Sequence, residues 1–467
     1  MRTTLKLHPP DAVRVSELIA ALSFALDLTE GQPMGHSLRS CLIGMAIGER
    51  AGLTLSEQRD LYYALILKDA GCSSNSALLF RLFGGDERNV KHDFARVDWS
   101  NYLRAARTAM AHAEPGAPWF TRMRRVVRLA RAGRGAAEEL IETRAQRGGD
   151  IIEKLGFGLR AANAVRSLDE HWDGGGAPRG ISGSEIPLLA RVACLAQTVE
   201  PFLVTEGPRA ALEVARQRCG RWFDPCLVQA FEDLEPRLAG WIGMGEADLR
   251  EAVRSGEPGG AALLAGPGTV DRIANGFAEI IDAKSPFTSS HSHRMTSVAL
   301  RIGARMGLDS SELVALERAA LLHDVGKLSV PNSILDKPGP LTSDEWDVVR
   351  LHPYYTQRIL SHIRGFETLA RVAAAHHERI DGRGYYLGLK GDEISLESRI
   401  LAAADVFDAL TASRPYRPAL PEEVALRMME RDRGQGLCAD CLDALWQEME
   451  IVPAAEEEVF VARRAAA

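Results

Sequence analysis

At 467 residues the chain exceeds what one compact core usually holds, so about two or three domains are expected. Its hydrophobic and charged shares, 46% and 25%, are those of an ordinary globular protein, and a formal charge of −7 excludes a general electrostatic pull toward nucleic acid or an anionic membrane. Seven scattered cysteines argue against a disulfide framework and fit reduced, buried thiols.

The N-terminal stretch interleaves Arg2, Lys6, Asp11, Arg14, Glu17 and Asp27 with apolar positions, which makes a poor signal peptide. No run reaches the roughly 20 uninterrupted apolar residues of a membrane span, so a cytoplasmic protein without membrane insertion is expected. Val13 to Leu28, Val298 to Met306 and Leu313 to Leu322 place apolar residues at three- and four-residue steps, the signature of amphipathic helix. Period-two alternation is almost absent, and the predicted fold class is all-α. A stretch rich in Gly and Pro, from Arg254 to Gly268, reads as a linker. The expected division is a first domain over 1–240, a linker over 241–269 and a second domain over 270–467.

An internal repeat straddles that linker. At one constant offset, His36-Ser-Leu-Arg39 matches His291-Ser-His-Arg294, Gly52-Leu53 matches Gly307-Leu308, Ser56-Glu57 matches Ser311-Glu312, and Lys68-Asp69-Ala-Gly71 matches His323-Asp324-Val-Gly326. A second, shorter offset carries Asp173-Gly-Gly-Gly176 onto Asp381-Gly-Arg-Gly384, Glu185-Ile186 onto Glu393-Ile394, and Arg191 onto Arg399. The change of offset marks extra sequence in the first copy, between residues of about 75 and 144. That insertion carries Arg122, Arg124, Arg125, Arg128, Arg131 and Arg134, which read as a solvated or domain-packing face, so nucleic acid is not an expected partner.

Histidines concentrate in the second copy, where His291, His293, His323, His352, His362, His376 and His377 make up seven of the chain's 12. Any one of them reads best as a hydrogen-bonded core residue, and His293 and His362 are left so. The joint pattern does not, because it brings His323-Asp324, His376-His377 and Asp405-Val-Phe-Asp408 together. Imidazoles with carboxylates suit zinc, iron or manganese. An adjacent His-Asp pair can serve two ions, the carboxylate bridging and the imidazole capping one side. Lys327, four residues after His323, would face the same cavity on a helical turn. A fixed cation beside a metal pair is what a phosphodiester transition state needs.

Six ordered motifs carry a resemblance: His291, then His323-Asp324-Val-Gly-Lys327, His352-Pro353, His376-His377-Glu378-Arg-Ile-Asp381-Gly-Arg-Gly384-Tyr385, Ala404-Asp405-Val-Phe-Asp408, and Arg414-Pro-Tyr-Arg417. From about Val270 to Met429 the chain resembles the HD-GYP family of the HD phosphohydrolase superfamily. The resemblance implies two tandem HD-type helical bundles and hydrolysis of a cyclic dinucleotide in bacterial signalling, cyclic di-GMP first and cyclic GMP-AMP second. It implies His291, His323, Asp324, His352, His376, His377 and Asp405 as metal ligands, with Asp324 bridging, and iron or manganese as the ions. It implies further that Lys327 and Asp408 flank the nucleophilic water, that Tyr385 lines the substrate side, and that Arg414 and Arg417 grip phosphates. A low-turnover receptor for the same ligand, or another HD-type nucleotide phosphohydrolase, stays open as an alternative.

Two positions depart from the family. Tyr386 stands where the family has proline, which bears on substrate identity more than on metal binding. Phe287 stands where members with a third metal carry a glutamate, so two ions are expected. The first copy departs further. Lys68 replaces the histidine of the His-Asp pair, Cys72 stands for Lys327, Arg144 for His352, Leu168-Asp169 for His376-His377, and Gln197 for Asp405. It reads as a degenerate sensory, dimerising or scaffold domain without a metal, so a homodimer is one expected assembly.

Overall fold

The structure, a computed structural model, describes residues 13–94, 96–97, 102–114, 118–259, 263–286, 290–413 and 418–449. Apolar residues at helical steps fold as helices in both halves, and the helices recur in the same order. Val15–Thr29 is answered by Pro267–Asp282, His36–Arg50 by His291–Arg305, and Leu55–Ile66 by Ser310–Leu322. After the insertion, Leu159–Arg166, Leu188–Glu206 and Pro225–Glu232 are answered by Glu367–Ala374, Leu396–Thr411 and Ala439–Glu448. The fold is all-α, and the one sheet among the described residues has two strands of two residues each.

The repeated short motifs are turn and cap chemistry. Gly52 and Gly307 sit at φ +76° and +84°, a left-handed conformation that ends a helix cheaply only with glycine. Glu57 and Glu312 then accept hydrogen bonds from the backbone amides of Thr54 (2.9 Å) and Asp309 (2.8 Å), closing a capping box at the next helix in both copies. Gly71 and Gly326 answer a different demand. A Cβ added to them would lie 2.1 Å from the Arg144 carbonyl oxygen and 2.0 Å from that of His352. Only glycine lets the following helix approach so closely, and this approach brings residue 352 up against the His-Asp pair.

The insertion forms helices Ser76–Phe83, Glu87–Phe94 and Tyr102–His112 and the first part of Trp119–Leu155. Arg122 and Arg125 donate to the carbonyls of Met110 (2.7 Å) and Arg81 (2.5 Å), so this part of the basic face clips the inserted helices together. The segment expected as linker is only partly loop. Helix Glu246–Ser255 lies within it and buries Leu249 and Val253, and Leu264–Ala265 pairs antiparallel with Val13–Arg14. Gly and Pro mark the joints on either side of these pieces.

One contiguous hydrophobic cluster draws on both copies, from Leu18 and Leu38 to Leu401 and Trp446. Helix Leu188–Glu206 is long and apolar enough to cross a membrane by those criteria alone, with a mean hydropathy of 1.3. Its counterpart is the core helix Leu396–Thr411, and 67% of its apolar window is likewise buried inside the fold. It is a core helix here.

Candidate metal centre

Six elements of the second copy converge on Asp324. Helix Ser310–Leu322 ends at His323, and the short 3-10 turn Val325–Ser329 follows Asp324 directly. Helices His291–Arg305 and His352–Leu360 each present a histidine from their first residue. His376 and His377 follow Glu367–Ala374, and Asp405 lies on Leu396–Thr411.

Three of these histidines donate through Nδ1 to the carbonyl three residues earlier: His323 to Ala320 (2.7 Å), His352 to Val349 (2.7 Å) and His376 to Ala373 (2.5 Å). That bond fixes the tautomer and turns each Nε2 lone pair inward. His291 is held by a carboxylate instead, donating through Nδ1 to Asp408 Oδ2 at 2.6 Å. The inward atoms sort to the two sides of Asp324. Oδ2 lies 3.1 Å from His323 Nε2 and 3.6 Å from His291 Nε2, whereas Oδ1 lies 3.4 Å from His352 Nε2 and 3.7 Å from His376 Nε2. Asp405 reaches both groups, 3.4 Å from His291 Nε2 and 3.9 Å from His377 Nδ1. His291 Nε2, His323 Nε2 and Asp324 Oδ1 are buried with no hydrogen-bond partner.

Burying such atoms unpaired is expensive, and a cation among them removes the cost. The electrostatics say the same. Burial pushes His352 down to about 3 and His377 down to about 4, and holds His376 well below its ordinary value, so these rings stay neutral and able to ligate. At His291 burial acts downward too, but the carboxylates of Asp324, Asp408 and Asp405 outweigh it and raise the ring to about 9. A proton is drawn to the place where a metal would sit. His291, His323 and Asp324 form one group able to hold an ion, and His352, His376 and His377 a second. The donor set fits a pair of divalent transition metals.

Lys327 arrives as its spacing implies, its ammonium 2.5 Å from Asp324 Oδ2. Tyr385 stacks on His377 at 4.7 Å between ring centres. Asp408 is placed differently from the expectation. His291 and Arg294 take up its carboxylate, with Arg294 Nε at 2.8 Å, so it stands behind His291 and orients that ring instead of flanking a water. Arg414, Arg417 and Phe287 lie outside the described residues. His293 is exposed and His362 faces Glu246 at 3.4 Å, so neither joins the centre.

Sequence reasoning missed two supporting residues, Arg294 and Glu378. The signal for Arg294 was in the repeat. His36-x-x-Arg39 matches His291-x-x-Arg294, and Glu200 falls opposite Asp408, so the first copy keeps the same relay, with Arg39 Nε 2.5 Å from Glu200 and His36 on the same carboxylate. Glu378 is buried and accepts the amides of Leu387 (2.8 Å) and Leu389 (3.0 Å), which holds the loop after Gly384. Glu170 does the same for Arg179 (2.8 Å) and Ile181 (3.2 Å) in the first copy. Within the held loop Tyr386 has φ +125°, which no proline can adopt, whereas the first copy keeps Pro178 at the equivalent place.

At the first copy's centre Lys68 fills the space left between the ligand positions. Its ammonium donates to His36 Nε2 at 3.0 Å and to Asp69, and the nearby Arg144 guanidinium pairs with Asp169. Burial would lower the Lys68 pKa, but Asp69 outweighs it and holds the side chain charged. Glu30, Asp69 and Cys72 lie close enough to hold an ion, yet Lys91 pairs with Glu30 at 2.8 Å, Lys68 pairs with Asp69, and the charge of Arg144 acts on both Asp69 and Cys72. Three internal cations oppose a metal there.

The HD domain family matches residues 127–227 and 275–438, one segment in each copy. The 3'3'-cGAMP-specific phosphodiesterase 3 of Vibrio cholerae is 40% identical over 439 residues, 94% of this chain and 95% of that protein. The cyclic di-GMP phosphodiesterase response regulator RpfG of Xanthomonas campestris is 43% identical over 171 residues, 36% of this chain and 45% of that protein. The crystal structure of a cyclic GMP-AMP-specific phosphodiesterase of V. cholerae, V-cGAP3, superposes with a TM-score of 0.65 at 37% identity, covering 95% of this chain and 99% of that one. The chain therefore belongs to the HD domain family and, within it, to the HD-GYP group.

Proposed function

We propose that the second copy is a metal-dependent phosphodiesterase that opens a 3'3'-linked cyclic dinucleotide, with two divalent ions, iron or manganese, on the two sides of Asp324. The observation that carries this reading is the division of buried imidazole nitrogens about one carboxylate, His291 and His323 toward Oδ2 and His352 and His376 toward Oδ1, with the first two left without a hydrogen-bond partner. When bound, the ions supply Lewis-acid polarisation of a phosphoryl oxygen and acidify a water. Asp324 and Asp405 would hold the pair, and the neutral imidazoles complete each ligand set. Lys327, at the open side of Asp324, would meet the charge that develops on the phosphoryl oxygens. Arg294 and Asp408 keep His291 in the tautomer that ligates through Nε2. Tyr385 would pack against the substrate next to His377, and Arg414 and Arg417 would grip its phosphates.

The relative that matches across both copies is specific for 3'3'-cGAMP, which moves that dinucleotide ahead of cyclic di-GMP as the substrate to try first. The test is incubation of the full-length, metal-loaded protein with both dinucleotides, with products separated by chromatography. Linear product from one of them supports the reading. Tight binding without turnover of either would replace it with a receptor.

A further inference from the structure

The turn that carries Lys327 is held from its own copy, where Gly326 N donates to Thr356 Oγ1 (3.0 Å) and Ser329 Oγ to the Gly326 carbonyl (2.7 Å), and also from the first copy. Its two closing bonds are local, Lys327 N to the Asp324 carbonyl (2.8 Å) and Val330 N to that of Lys327 (3.0 Å). The carbonyls beyond Lys327 point elsewhere. That of Leu328 accepts from Lys284 Nζ (3.2 Å) and from Thr29 Oγ1 of the first copy (3.4 Å). That of Ser329 accepts from the Arg88 guanidinium at 2.6 Å. Next to Arg88, the fully buried Glu87 receives the Asn332 amide at 3.1 and 3.0 Å and lies 3.6 Å from Lys284. Glu87 and Arg88 belong to the insertion that the second copy lacks.

Neither contact has the character of an incidental surface bridge. A carboxylate with no exposure is costly unless its partners are in place, so Glu87 fixes how the first copy seats on the segment after Lys327. Arg88 is itself pinned by Asp86, at 2.7 Å from Oδ2 and 3.0 Å from Oδ1, so it meets Ser329 as a rigid donor. Lys91 on the same helix donates to the carbonyls of Thr29 (3.4 Å) and Cys72 (3.0 Å), tying this helix to the first copy's own centre. A 3-10 turn has poorer hydrogen bonds than an α-helix and depends more on outside support.

We propose that Arg88 and Glu87 are positioning residues for the second copy's centre, the inserted helix acting as a clamp that keeps Lys327 against Asp324. The proposal rests on the phosphodiesterase reading for its kinetic consequence and on geometry alone for its structural one. Both are measured in the full-length, metal-loaded protein. Arg88→Ala and Glu87→Gln should each lower kcat about tenfold at nearly constant KM, since small misplacements of a catalytic group act on the chemical step. Arg88→Lys, which keeps a cationic donor, should recover part of the loss. Lys154→Ala removes an exposed contact between the copies, 2.6 Å from Glu279, and should leave kcat unchanged. Independently of activity, hydrogen exchange at the Lys327 and Val330 amides should quicken about tenfold in Arg88→Ala and not in Lys154→Ala. Unchanged exchange and unchanged kcat in both clamp variants overturn the proposal, as does an equal loss in Lys154→Ala. If the wild type opens no cyclic dinucleotide, the functional reading fails and exchange at these two amides still decides the clamp.

Discussion

The two centres lie on matching helices and hold opposite solutions to one electrostatic problem. Each scaffold buries a carboxylate, Asp69 or Asp324, next to a histidine that an acid orients from behind, Glu200 for His36 and Asp408 for His291. In the second copy the space before the carboxylate is lined by unpartnered nitrogens. In the first, Lys68 fills it with an ammonium, and the Arg144 guanidinium close by pairs with Asp169. The difference teaches that a binding centre can lose its ligands without losing its fold when a side-chain cation takes the place of an ion. It also explains why the His–acid–Arg relay persists in a copy without the ligand set: there it pairs buried charges instead of orienting a ligand.

That contrast can be broken most sharply at the central carboxylates. Asp324→Ala should lower turnover by about a thousandfold or more, because the several kcal/mol supplied by the ions go with it. Asp69→Asn should leave turnover within about threefold but lower stability by about 3–5 kcal/mol, since Lys68 is left buried without its counter-charge, read as the midpoint of urea unfolding. Lys327→Ala should cost about a hundredfold in kcat with KM little changed, and Arg417→Ala should raise KM instead. The relay sharpens the comparison further. Asp408→Asn should weaken metal affinity about 10–100-fold in a chelator competition, whereas Glu200→Gln should touch only the unfolding midpoint. Tyr386→Pro should raise KM about three- to tenfold at unchanged metal content, because proline forces the loop out of φ +125°.

A smaller effect comes from the pH dependence of the metal-free protein. The folded rings of His352 and His377 titrate at about 3 and about 4, below the ordinary 6.5. As pH falls from 6.5 to about 4 the unfolded chain takes up protons that the folded one refuses, so stability falls. His291, at about 9, works in the other direction: its contribution is full below pH 6.5 and is lost as pH rises toward 9. His377→Asn should flatten the acid limb by a few degrees in Tm, measured by calorimetry without metal.

Much of this is legible in the sequence. The repeat, the all-α class and the place of Lys327 followed from spacing, and the seven ligand candidates from the motifs that carry the family resemblance. Asp408 did not, because a sequence gives an acid's position on its helix but not which atom it faces. Arg294 hid in a matched tetrapeptide whose meaning needed Glu200 and Asp408 to be seen as partners. The clamp at Glu87 and Arg88 was not readable at all, since it joins an insertion to a turn 241 residues away through backbone carbonyls, which carry no sequence signal. The linker misled for a related reason: Gly and Pro mark joints, and the helix Glu246–Ser255 between them is fixed by packing of Leu249 and Val253.

The central claim is that one copy holds metal and its twin replaces it with lysine. Elemental analysis of the full-length protein, loaded anaerobically and freed of loose ions, tests this directly in three forms. The account predicts two transition-metal ions per chain in the wild type, the same two in Asp69→Asn, and essentially none in folded Asp324→Ala. Metal that survives Asp324→Ala, or that is lost with Asp69→Asn, would contradict it.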